Sequence, residues 1–197
     1  MRIQYSKRRM GEEKEGRCMR KREMFEPNYV ECRNIVMSKV SELYKQERDW
    51  TCSVACIRTI LSGYVDKVED EDYFVSTYKL KPGPYYSKDV KKLKILKAYD
   101  VVYGCDCINV SFDVLLTLME NGYSIMVESM YNYAHWFVIL GYYPLREKDV
   151  EKSMLLVYDP YYDEVRLIRA DEFINMWIDG NYVNTKIEKD FIAIRNK

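Results

Sequence analysis

Five short runs of β-branched and aromatic residues, all after residue 123, constrain this chain more than any other feature of its sequence. Residues 124–128, 136–142, 154–158, 165–168 and 191–194 are each bounded by turn residues and read as strands. They predict one antiparallel sheet. The apolar spacing before them is helical, so helices come first and strands follow, which is the α+β pattern with N-terminal helices packed on a C-terminal antiparallel sheet. A helix over 171–178, carrying Phe173, Ile174 and Trp177, interrupts the last two strands. With 197 residues, 48% of them hydrophobic and 14% aromatic, the chain is long enough for one domain with its own core and cramped for two.

In the first half, the polar run 46–51 reads as a loop in which Asp49 or Thr51 can cap a short, largely buried helix from Cys52 to Gly63. Residues 36–44 leave helix and strand both open. Residues 66–80 are loosely helical at Val68, Tyr73 and Val75, and 82–86 is a turn. Ser87 is expected to cap an amphipathic surface helix through Val90, Leu93, Leu96 and Ala98, with lysines on its opposite face. Ser111 is expected to cap a helix over 112–120 that closes at Asn121-Gly122.

Charge divides the chain. Residues 1–23 hold nine Lys or Arg and four Asp or Glu, so that segment is near +5 and the rest near −5, against a formal net charge of zero. Such a segment buries too little apolar surface to offset its ordering entropy. Residues 1–33 are therefore read as a charged tail, with Glu26-Pro27-Asn28 as punctuation, and 34–197 as the domain. The zero net charge argues against nucleic acid as the main partner. No apolar run follows the basic amino terminus and none reaches eighteen residues, so neither a signal peptide nor a membrane span is expected, and the compartment expected by default is cytoplasmic. The six cysteines are then expected to be free thiols.

The candidate chemistry starts at Cys52. A cysteine in the first turn of a helix sees orphan backbone N–H groups and the positive end of the helix dipole, and both favour thiolate over thiol. The plainer reading of Cys52 and Cys56, four apart on one helical face, is a pair of small core residues. That reading suits Cys56, whereas Cys52 depends on a base elsewhere. His135, the only histidine, heads a strongly apolar strand, and Asp159 ends the next one at Asp159-Pro160. A lone histidine is more often a satisfied residue than a catalyst, and Asp-Pro is a common turn opener. If the two strands are hairpin neighbours, however, both side chains reach one sheet edge. Cys52, His135 and Asp159 then supply nucleophile, base and orienting acid, with the Cys52 N–H and the Gln46 side-chain amide as donors to an oxyanion. Cys105-Asp106-Cys107 lacks the second close pair that zinc sites use, and strand cysteines are the preferred reading.

Gln46 six residues before Cys52, then Ala55-Cys56 and an apolar helix, resembles the opening of the C39-like peptidases of the papain-like cysteine protease superfamily. His135-Trp136-Phe137-Val138, Val157-Tyr158-Asp159-Pro160 and Asp171-Glu172-Phe173 before Trp177 continue the match in order. Trp50-x-Cys52-x-x-Ala55-Cys56 with His135-x-Phe137 is also similar to a related eukaryotic family named for guanylyl cyclase. The resemblance implies a papain-like fold and a cysteine peptidase or amide hydrolase acting through a thioester. It implies Cys52, His135, Asp159 and Gln46 as catalytic residues, a peptide or protein substrate, and no metal or organic cofactor; delivery into a host would suit such an enzyme as well as a cytoplasmic site. An acyltransferase or transglutaminase-like enzyme would use the same triad, and an inactive peptide-binding module could present the nineteen tyrosines as a surface. Cyclase chemistry ranks last, since neither paired metal-binding carboxylates on strands nor a glycine-rich phosphate loop is seen. Oligomeric state is left open.

Overall fold

The structure, a computed structural model, describes residues 17–18, 35–104, 110–129, 134–144, 152–177, 181–182, 185–186 and 189–197. Its centre is an eight-stranded sheet in the order β1-β3-β10-β4-β5-β6-β7, with β2 paired to β5. The strands are β1 (Arg17–Cys18), β2 (Val36–Met37), β3 (Tyr99–Gly104), β4 (Ser124–Ser129), β5 (His135–Tyr143), β6 (Met154–Asp159), β7 (Glu164–Arg169) and β10 (Phe191–Asn196), and a separate hairpin joins β8 (Asn181–Tyr182) to β9 (Thr185–Lys186). All five strands expected from the sequence are present. Those five strands, β4, β5, β6, β7 and β10, are joined antiparallel as expected. β1, which falls within the segment read as a tail, adds to the sheet parallel to β3 at Arg17↔Val102 and Cys18↔Tyr103.

Both faces of the sheet are covered, which explains why the central strands are continuous apolar runs. On one face Met126, Trp136, Val138, Ile192 and Ile194 pack against α1 (Cys52–Leu61), with Phe74 of α2 (Glu71–Thr77) joining the same core. On the other, Ile125, Val127, Phe137, Ile139 and Phe191 pack against α4 (Phe112–Glu120) and α5 (Ala170–Met176). Adjacent residues along β4, β5 and β10 alternate between the two cores, as the period of a pleated strand requires. The fold is α+β and fits the papain-like arrangement.

The expected helix from Ser87 to Ala98 is instead two pieces, α3 (Ser87–Val90) and a 3₁₀ turn (Lys94–Ala98) separated by Leu93 in an extended conformation (φ −60°, ψ 124°). Ser87 does not cap with its side chain. It is fully buried: its N–H donates to Asp190 Oδ2 at 2.7 Å, and its hydroxyl donates to Gly104 O at 2.6 Å and contacts Asp190 Oδ1. Tertiary bonding to a buried carboxylate outweighs the helical period, and Val90, Leu93 and Leu96 still reach the core. The open question over 36–44 resolves into β2 followed by irregular chain, and the loosely helical 66–80 into α2 with Asp70 capping Tyr73 N–H at 2.7 Å. Cys105, Cys107 and the Glu26-Pro27-Asn28 punctuation lie outside the described residues.

Irregular residues 38–46 lie across the C-terminal end of α1. Ser62 Oγ accepts from the N–H groups of Ser41 (3.1 Å) and Glu42 (2.9 Å), and Thr59 Oγ1 accepts from Tyr44 N–H (3.0 Å). Close approach leaves no room at Gly63, where an added Cβ would sit 1.8 Å from Lys39 O. Because backbone rather than a flexible side chain is in the way, Gly63→Ala should lower unfolding free energy by about 1–3 kcal/mol. Denaturant melts check this, and an unchanged midpoint would show that residues 38–46 are held by something else.

Candidate active site

Every residue of α1 is buried, Arg58 included, so the helix is fixed from all sides. Arg58 is satisfied by Glu69 O (Nε, 3.0 Å), by Glu47 Oε1 (Nη1, 3.1 Å) and by the ring of Tyr44, 4.4 Å from its guanidinium carbon. The loop before the helix is clamped by Glu71 at the start of α2. This fully buried carboxylate accepts from Glu47 N–H at 2.9 Å and from Arg48 Nη1 at 2.8 Å, while Arg48 also pairs with Asp72. Two expectations about the cap part company here. Thr51 occupies the N-cap position, but its hydroxyl turns back to donate to Arg48 O at 2.9 Å, and neither it nor Asp49 caps with a side chain. No acidic residue lies in the first turn either, so the positive end of α1 is open toward a cleft at Cys52 and Ser53.

β5 and β6 are antiparallel neighbours, with Val138↔Tyr158 in register, and this brings the head of one strand to the tail of the other. His135 Nε2 and Asp159 Oδ1 are 2.8 Å apart, and the same oxygen accepts Tyr161 N–H at 3.0 Å. His135 also hydrogen-bonds the Cys52 side chain, and since Nε2 faces Asp159 it is Nδ1 that serves the thiol. Burial by itself would push the imidazole down, but the bonds to Asp159 and Cys52 prevail and raise it to about 9. Burial likewise pushes Asp159 up, and the bond to and charge of His135, with help from Tyr161 N–H and Arg166, reverse this and hold it low. Burial drives the Cys56 thiol well up, with Cys52 and Asp159 adding to the effect, as expected of an inert core thiol.

Cys52, His135 and Asp159 thus meet at one end of the sheet, and Cys52 and His135 line a cleft of about 250 Å³ with Asp159 behind the imidazole. Gln46 meets them less directly. Its N–H donates to Pro160 O at 3.1 Å, tying its loop to the corner after Asp159, but its side-chain Nε2 donates to Arg48 O at 2.9 Å, and Gln46 does not line the cleft. The remaining walls were not legible as site residues. Trp50 stacks on Tyr85 at 6.4 Å, Trp136 Nε1 donates to Tyr85 O at 2.6 Å, and Tyr161 meets the His135 ring edge-on at 6.3 Å. Glu128 also lines the cleft, and its signal was there to find: a single charge within the apolar strand β4. Among the described residues no group of three or more His, Cys, Asp or Glu is placed to hold a metal.

The chain's only histidine makes the electrostatics directly measurable. The unfolded imidazole titrates near 6.5 and the folded one near 9, so its contribution to stability is complete below about pH 6.5 and is lost as pH rises through about 9. The His135 ring-proton resonance should therefore titrate near 9 and move down in Asp159→Asn. A midpoint near 6.5 in the wild type would contradict the bonded arrangement.

No helix among the described residues is long and apolar enough to cross a membrane. A search of curated proteins returns no match. The model of the Peptidase_C39 like family matches residues 39–185, a span that takes in the Gln46 loop, α1, β5 and β6. The chain belongs to the Peptidase_C39 like family.

Proposed function

We propose that this protein is a cysteine peptidase or amide hydrolase in which Cys52 is the nucleophile, His135 the acid and base, and Asp159 the group that orients His135. The observation that carries the reading is the double engagement of one imidazole, Nε2 by Asp159 at 2.8 Å and the other side by the Cys52 thiol, at the open end of a buried helix. Membership of a peptidase family supports it.

In the proposed reaction the Cys52 thiol gives its proton to Nδ1, and Sγ attacks the carbonyl carbon of the substrate amide. The carbonyl electron pair moves onto oxygen, where the Cys52 N–H serves as a donor, joined by the Gln46 amide once it turns from Arg48 O toward the cleft. As the pair returns, the C–N bond breaks and the imidazolium protonates the leaving amine, leaving a thioester. Water then attacks, His135 takes its proton and returns it to Sγ, and the carboxylic acid departs. Asp159 keeps Nε2 protonated and the ring aimed throughout, as the acid of a serine triad does. An imidazolium that holds its proton to about 9 sets the alkaline edge of kcat/KM near that pH.

Turnover of a peptide-amide library tests this reading. Cys52→Ala and His135→Ala should abolish cleavage, Asp159→Asn should lower kcat by roughly 10 to 10³ by favouring the wrong tautomer, and Gln46→Ala should cost about 10². The melting temperature of Asp159→Asn should stay within a few degrees of wild type. Cleavage that survives Cys52→Ala would overturn the assignment, and full activity in Asp159→Asn would reduce the triad to a dyad.

A further inference from the structure

Five of the buried serine hydroxyls have partners, and the one that does not stands beside Cys52. Among the described residues the buried serines are Ser53, Ser62, Ser87, Ser124, Ser129 and Ser153. Ser62 Oγ donates to Thr59 O at 2.6 Å, Ser87 Oγ to Gly104 O at 2.6 Å, Ser124 Oγ to Lys39 O at 3.3 Å and Ser129 Oγ to Met176 O at 2.8 Å, while Ser153 Oγ accepts from Tyr142 OH at 3.1 Å. Ser53 is only 4% exposed and lines the cleft with Cys52, yet its hydroxyl has no hydrogen-bond partner among the described residues. A buried polar group left unbonded is uncommon enough to call for a reason.

Position in the helix supplies one. A helical serine ordinarily turns its hydroxyl back onto the carbonyl three or four residues earlier, as Ser76 does on Asp72 O at 2.7 Å. Ser53 is the second residue of α1, so its counterparts, Asp49 and Trp50, precede the helix and do not take that bond. The same placement sets Ser53 among the orphan N–H groups of the first turn, where Thr51 gives no side-chain cap and no acidic residue is present. Its single hydroxyl proton is therefore uncommitted, in the positive field of the helix end and one residue from the nucleophile.

Negative charge develops on the substrate oxygen as the thioester forms, and donors already in place stabilise it without reorganising. Gln46 is not in place: its Nε2 is held on Arg48 O at 2.9 Å and its Oε1 is buried with no partner among the described residues. Ser53 is already on the cleft wall. We propose that Ser53 is a further catalytic residue, whose hydroxyl donates, beside the Cys52 N–H, to the oxyanion formed when Cys52 attacks a carbonyl. The hydroxyl keeps its proton throughout; it bonds the oxygen while the carbonyl pair rests there and lets go as the pair returns and the leaving group departs. This rests on the hydrolase reading above and adds to its donor set.

Two reagents that meet the same thiol by different chemistry test the proposal without any peptide substrate. p-Nitrophenyl acetate acylates Cys52 through a tetrahedral oxyanion, with p-nitrophenolate leaving, whereas iodoacetamide alkylates it by displacing iodide and forms no oxyanion. Both rates are measured on the intact protein, with Cys52→Ala as background and the modified residue mapped. Ser53→Ala should slow acylation by about tenfold or more, against the roughly 10²–10³ lost with a fully placed oxyanion donor, while alkylation stays within about twofold. Because the lost hydroxyl was unbonded, the melting temperature should hold within a few degrees. Ser53→Gly, which also lacks the hydroxyl, should slow acylation to the same extent. Acylation at the wild-type rate in Ser53→Ala, or acylation that falls in step with alkylation, overturns the role of Ser53 and leaves the nucleophile standing. Cys52 inert to both reagents overturns the hydrolase reading, and this proposal with it.

Discussion

A single hydrogen bond between two strand ends, His135 Nε2 to Asp159 Oδ1, is the constraint on which the rest of the site depends. It joins β5 to β6 where their ladder runs out, and it decides which ring nitrogen is left for Cys52. Its strength comes from its surroundings: the His135 side chain is 11% exposed and that of Asp159 15%, so the two charges act on each other with little water between them. The price of that burial is visible as the opposing effect on both groups, and in both the partner's charge and hydrogen bond win.

The other half of the site is held by a different kind of interaction. α1 cannot shift, because all ten of its residues are buried and its two polar anchors, Arg58 and Thr59, are bonded to the loop that precedes it. Glu71 and Arg48 then fix residues 47–48 against α2, so the chain enters the helix by one route. Cys52 is therefore delivered to His135 by packing, and the open positive end of the helix is a consequence of Thr51 bonding backward to Arg48 instead of forward onto the first turn. Trp136 links the halves: its ring packs in the core with α1 while its indole N–H holds the Tyr85 wall of the cleft.

Much of this was legible in the sequence because it is local. The strands around Val127, Ile139 and Val157 declare themselves by β-branched runs, and the ends of β5 and β6 by His135 and Asp159-Pro160. What was not legible is what tertiary bonding decides. Ser87 looks like a helix cap and is instead a buried ligand of Asp190, more than a hundred residues away, and the helix it was expected to start breaks at Leu93. β1 and β2 are two residues long and carry no periodicity to read. Gln46 was expected at the site from its spacing before Cys52, but its amide is directed by Arg48 O, which no sequence pattern encodes, and it does not line the cleft. Glu128 was passed over because a lone charge in an apolar strand looks like noise until the cleft beside it is seen.

The central claim is that Cys52 is a nucleophile made reactive by His135, and alkylation with iodoacetamide at pH 6, with the modified residue mapped, tests it most directly. The account predicts that carbamidomethyl groups accumulate on Cys52 and not on buried Cys56, and that His135→Ala loses this labelling at pH 6 without loss of fold. Label spread evenly over the other thiols with Cys52 untouched, or Cys52 labelling indifferent to His135→Ala, would contradict it.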